Sequence, residues 1–144
     1  MTGGRVDPAI VRRHLFALDA AVQNLRKHRG KTVESLRTDR DTLWSVERGL
    51  QLCAQNVLDI ATHLAAAAGH DAPDYAAALD ELGRMGVLPA EFLSRFRGIA
   101  GFRNVLVHAY LEVDPARVHE LLNERLDDFV QFSQYVETHL ARQS

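Results

Sequence analysis

Apolar positions recur three and four residues apart along almost the whole chain, and no stretch alternates polar and apolar residues as a half-buried strand does, so the class expected is all-α. The first helix is predicted to open with Asp7 as N-cap and Pro8 in its first turn. It runs to about Arg29, ahead of Gly30, with Val11, Leu15, Leu18, Val22 and Leu25 as its stripe. The basic run Arg26–Arg29 suits the negative end of the helix dipole and reads as a solvated terminus, with a basic RNA rim as the alternative. Thr32–Arg37 reads as a turn-like connection. A long helix from about Asp39 to Ala68, closed by Gly69, carries Leu43, Val46, Leu50, Cys53, Val57, Ile60, Ala61 and Leu64 on one face. Leu52, Asn56, Asp59 and His63 fall on its other side, a ridge assigned to solvent, with a partner face as the alternative.

Gly69–Pro73 breaks the pattern before a short helix over about Asp74–Met85. Pro89 opens the next helix, which puts Phe92, Phe96 and Ile99 inward and continues to about Val107. Asp114-Pro115 repeats the cap-and-proline start for a final helix carrying Val118, Leu122, Leu126, Phe129, Val136 and Leu140. Three long and two shorter helices on short loops pack most simply as an antiparallel bundle of about five helices. Arg125 lies near the centre of the last stripe; a snorkelling side chain is the simpler expectation, an inward ion pair or a site residue the other.

A chain of 144 residues is long enough for one hydrophobic core, so residues 1–144 are expected to form a single domain, with residues 1–6 disordered. No run approaches a membrane span and no apolar leader is visible, which points to a cytoplasmic protein with no membrane partner. Cys53 stands alone within an apolar stripe, as an inert buried thiol rather than half of a disulfide or a nucleophile. With a net charge of -2, the chain is no ordinary basic nucleic-acid binder, so any RNA contact needs a local positive groove. No paired histidines, no Cys-x-x-Cys and no glycine-rich phosphate loop occur; neither a metal nor another cofactor is expected.

The chemistry is concentrated in Arg103-Asn104-Val105-Leu106-Val107-His108-Ala109-Tyr110. Arg103 follows Phe92, Phe96 and Ile99 by eleven, seven and four residues, so an unbroken helix aims it at the core. An unpaired guanidinium buried there costs several kcal/mol, so it needs a carboxylate or an anionic ligand. His108, five residues further, lies roughly 140° around the same axis. Either the helix ends near Val107 and bends His108 back, or a second copy of the chain completes the site. Arginine clamps phosphate with a planar fork and histidine moves protons near neutral pH, a pairing suited to a phosphodiester. A purely structural reading is also open: a helix C-terminus favours a histidine, and a loop tyrosine often only packs its ring.

Arg103-x4-His108-Ala109-Tyr110 resembles the Arg-x(4–6)-His signature of the HEPN superfamily, and its Arg-Asn-x3-His-x-Tyr form resembles the HepT toxin branch. The layout of helices over residues 7–141, including Val46–Gln51 in the long helix, is similar too; the polar stretch Thr32–Arg40 is the departure. The resemblance implies a homodimeric, metal-independent endoribonuclease in which Arg103 stabilises the transition-state phosphate and His108 shuttles protons. Asn104 either donates to phosphate or orients His108. It further implies a partner, a minimal nucleotidyltransferase (MNT) antitoxin that adenylylates Tyr110 and so blocks RNA by bulk and like charge. The competing reading is a noncatalytic helical dimer that binds nucleotide or scaffolds such a transferase.

Overall fold

The computed structural model describes residues 6–107 and 114–143, and for 104–107 only the backbone course. Eight helices and no strand occur among the described residues: α1 (Pro8–Arg26), α2 (Val33–Thr38), α3 (Arg40–Ala67), α4 (Tyr75–Arg84), α5 (Ala90–Phe96), α6 (Ile99–Val107), α7 (Pro115–Glu124) and α8 (Leu126–Gln143). The start signals read from sequence act as caps. Asp7 accepts from the Ala9 amide at 3.0 Å and Asp114 from the Ala116 amide at 3.0 Å, each ahead of a first-turn proline. Gly69 follows α3 with φ near 91°, a left-handed geometry that glycine adopts without a Cβ clash.

Three differences separate five expected helices from eight. Thr32–Arg37 is not a bare turn: Thr32 caps Ser35, the segment winds into α2, and fully buried Leu36 anchors it where α2 packs against α7. This is the structural role of the polar stretch the pattern left unassigned. The helix expected over 89–107 breaks at Arg97-Gly98. There Arg97 makes two bonds to Asp80 of α4, 2.9 and 3.0 Å long, while Phe96 stacks on Phe132 of α8. The clamp and the aromatic contact tie the flanking segments to different elements, α4 and α8, and Gly98 between them has weak helix propensity. The last helix breaks at Arg125, whose amide closes α7 onto Leu121, and α8 restarts with Asp127 and Asp128 in its first turn, where the dipole favours acids.

Helix α3 is the spine, packed against α1, α2, α4, α6, α7 and α8. Its pairing with α1 is antiparallel: Asp7 meets His63, His14 meets Asn56 and Leu25 meets Gly49, so numbers rise on one helix as they fall on the other. Gly49 sets the distance of approach, because a Cβ there would lie 2.5 Å from a Leu25 methyl. The ridge assigned to solvent is therefore only partly so. Leu52 is exposed, but Asn56 bonds His14 at 2.8 Å and His63 accepts the Asp7 amide at 3.1 Å. The predicted stripes form the core, with Val11, Leu18, Cys53, Val57, Leu64, Leu122 and Val136 sealed from solvent. Val6 already packs against it, while residues 1–5 lie outside the described ones. No helix among the described residues is long and apolar enough to cross a membrane.

Candidate functional site

Arg103 sits on α6, the short helix wedged against α3 and α4. The break at Gly98 removes the continuous phase that aimed Arg103 at the core centre; its side chain lies half-buried on the α3–α4 side instead. There its Nε donates to Gln55 Oε1 at 2.9 Å, and the guanidinium carbon stands 5.3 Å from the centroid of the Tyr75 ring. The Gln55 amide nitrogen donates in turn to Asp59 Oδ1 at 2.7 Å and reaches the Tyr75 hydroxyl at 3.4 Å. This second pair of contacts fixes which end of the amide faces the arginine, so Gln55 presents an acceptor rather than a donor.

The mount answers the demand made by burying a guanidinium. Coordination by a neutral amide, an aromatic face and, through Gln55, the carboxylate of Asp59 offsets desolvation while fixing the plane of the fork. The Nε edge is engaged by this mount, which fixes the orientation of the guanidinium plane. Beside Tyr75 opens a shallow depression of about 600 Å³ walled by Thr62, Pro73 and Asp74, with the small residues Ala72, Ala76, Ala100 and Gly101 beneath.

Of the residues that the motif singled out, Arg103 alone can be placed by its side chain. Asn104 is given as backbone only, and His108 and Tyr110 lie outside the described residues. Gln55, Asp59 and Tyr75 were not anticipated as site residues. Their polar and aromatic character is visible in sequence, yet nothing local connects position 55 or 75 with 103 across 48 and 28 residues. Arg125 partners Asp128 at 3.3 Å with its side chain 38% exposed, a snorkelling arginine that also makes an ion pair. Cys53 is sealed in the core, and burial pushes its thiol up to about 12, so it carries no thiolate near neutral pH. Among the described residues no three metal-ligating side chains cluster. His14, His63 and His70 are engaged by Asn56, the Asp7 amide and Glu81.

The sequence profile described as ribonuclease HepT-like matches residues 18–136. A curated relative, the tRNA nuclease HepT of Aphanizomenon flos-aquae (strain 2012/KM1/D3), is 24% identical over 137 residues, covering 94% of this chain and 92% of the relative. Among solved structures, a tri-AMPylated HEPN toxin of Shewanella oneidensis in complex with an MNT antitoxin superposes with a TM-score of 0.79 at 21% identity, over 90% of this chain and 97% of that one. YutE, a cytosolic protein of unknown function from Bacillus subtilis, superposes with a TM-score of 0.80 at 17% identity, over 96% and 93%. At these identities the superpositions speak for the shared helical fold.

Proposed function

The chain belongs to the ribonuclease HepT-like family, and from that membership we propose that it is a toxin that cleaves RNA without a metal, using Arg103 and His108. The observation that carries the reading is the mount of Arg103, a guanidinium fixed by Gln55 and Tyr75 at the head of the family motif. RNA brings its own nucleophile. A proton passes from the 2′-hydroxyl to neutral His108, the 2′-oxygen bonds to phosphorus, the bond to the 5′-oxygen breaks, and that oxygen leaves with a proton returned by the His108 imidazolium. The products are a 2′,3′-cyclic phosphate and a 5′-hydroxyl. Proton transfer by a positioned imidazole typically contributes about 10²–10⁴-fold in rate, and Arg103 stabilises charge gathering on the phosphorane oxygens.

A regular helix continued through His108 would set it about 140° from Arg103, so we assign the working site to a homodimer in which two copies bring these groups to one phosphate. Asn104 supports the pair by bonding phosphate or orienting His108. The activity is held in check by an MNT-type nucleotidyltransferase antitoxin that transfers an adenylate from ATP to the Tyr110 hydroxyl, releasing pyrophosphate. The bulky anion then bars RNA from the cleft. The Shewanella toxin bound to its MNT antitoxin in AMPylated form supports this partner, and the tRNA nuclease relative makes tRNA the first substrate to try.

Arg103→Ala and His108→Ala are expected to abolish RNA cleavage and growth inhibition while leaving circular dichroism and dimer elution unchanged. Cleavage retained in both variants refutes the assignment. Nucleotide binding without cleavage of any RNA by the wild type favours a noncatalytic scaffold instead.

A further inference from the structure

A second feature of α6 faces away from the Arg103 mount. Ile99 and Phe102 turn toward a narrow cleft between α5, α6, α7 and α8, about 60 Å³ in volume, that Gly98 enters at the helix break. Among the described residues the charged side chains lining it are three arginines, Arg95, Arg117 and Arg125, and one carboxylate, Asp128. Both oxygens of Asp128 are already engaged, by Arg95 Nε at 3.2 Å and by Arg125 Nη1 at 3.3 Å, and its side chain is only 13% exposed. Two guanidiniums are thus drawn onto one anion. The third, Arg117, lies 5.8 Å over the Phe102 ring and pairs outward with Glu120 at 2.8 Å.

Arg26 and Arg29 also share one carboxylate, Asp127, but that one is 69% exposed, whereas the shared Asp128 is largely buried in the cleft. Each guanidinium has five N–H donors and spends one or two on its partners here, so the cleft keeps a surplus of both positive charge and donors. Its walls are the buried rings of Phe96, Phe102 and Phe129, which lower the local dielectric and strengthen attraction for an anion. A volume of about 60 Å³ is on the scale of one phosphate group rather than of a protein helix about 10 Å across.

We propose that this cleft binds a backbone phosphate of the RNA strand at a position away from the bond that is cut. The neighbouring residue on α6 decides the occupant: Phe102 walls the cleft and Arg103, next in sequence, lies about 100° around the same helix. Arg103 and a wall of the cleft are thus adjacent residues of one helix, close enough for a single strand to meet both. In a chain of net charge -2, such a local subsite supplies the positive field that overall composition withholds. The proposal rests on the RNA-cleaving reading above, but its test does not require cleavage.

The probe is a fluorescent single-stranded oligoribonucleotide of about 20 nucleotides carrying 2′-O-methyl groups, which lacks the internal nucleophile and remains intact. Anisotropy titrations of the full chain are expected to show the triple variant Arg95→Gln/Arg117→Gln/Arg125→Gln binding about tenfold more weakly at low salt. The slope of log affinity against log salt should be shallower by about 0.7, the loss of one phosphate contact. Cleavage of a dinucleoside monophosphate, too short to reach the cleft, stays at the wild-type rate. Should the triple variant melt early because Asp128 loses both partners, Arg117→Gln alone decides, since it leaves that clamp intact; a several-fold loss of affinity is then expected. Unchanged affinity and salt slope overturn the proposal. So does unchanged RNA affinity coupled with loss of binding to poly-glutamate, which hands the cleft to an acidic protein surface. A wild-type chain that cuts no RNA defeats the ribonuclease reading, while the 2′-O-methyl probe still decides the cleft.

Discussion

A single glutamine amide decides how Arg103 faces its surroundings. Gln55 accepts from Arg103 and donates to Asp59, while the Tyr75 ring lies beneath the guanidinium. If these residues position the arginine, Tyr75→Phe, which keeps the ring, should retain RNA cleavage, whereas Tyr75→Ala and Gln55→Ala should each lower kcat by about tenfold, or about 1.4 kcal/mol, the scale of a half-buried cation–π contact and the low end of a charged hydrogen bond. KM should change little, because the scissile phosphate is held most tightly in the transition state. Equal loss in Tyr75→Phe and Tyr75→Ala would place the role in the hydroxyl rather than the ring. At this scale the sequence disclosed the motif but not its support. Arg103 stands out because a charge recurs in phase with Phe92, Phe96 and Ile99, while Gln55 becomes meaningful only once α6 is laid across α3.

Helix starts were legible because their chemistry is local. Asp7-Pro8 and Asp114-Pro115 place a side-chain acceptor and a preset φ side by side, and both caps form. The breaks at Gly98 and Arg125 were not, because each is made by a distant element: Asp80 of α4 pulls on Arg97, and Asp128 of α8 shares its carboxylate between Arg125 and Arg95 of α5. The break at Gly98 sets the course of α6, so it redirects Arg103 from the core to Tyr75. The cap of α7 governs the element that α2 leans on. Asp114→Ala is expected to cost about 1 kcal/mol, read as a lowered midpoint in urea denaturation with an unchanged slope. A shift below about 0.3 kcal/mol would mean that packing of Val118 and Leu122 alone holds the helix.

For the whole molecule, the all-α class and the continuous core followed from the apolar spacing, since every predicted stripe is buried; the spine role of α3 did not, because periodicity shows a helix its buried face without naming its neighbours. The helix packing also sets a response to acid. Burial, and then the Arg142 charge, hold the His139 imidazole below its ordinary 6.5; burial, and then Lys31 and Lys27, do the same to His28. A folded-state pKa below the unfolded one means stability that is complete above 6.5 and is lost as pH falls through the lowered value. Hydrogen bonds to Asp39 from Thr42, and to Asp80 from Arg97, hold both carboxyls below 3.8, so their contribution also fades toward acid, at lower pH. Melting temperature should therefore fall from pH 7 to pH 5, and His139→Gln should flatten that fall; a variant with the wild-type slope would remove His139 from the explanation.

RNA cut by the purified chain in excess chelator, with the new ends identified by mass spectrometry, bears most directly on the chemistry given to Arg103 and His108. Fragments ending in 2′,3′-cyclic phosphate and beginning with 5′-hydroxyl, absent when either residue is alanine, are the expected result. Fragments ending in 3′-hydroxyl and beginning with 5′-phosphate, or cleavage that stops when divalent metal is removed, would contradict it.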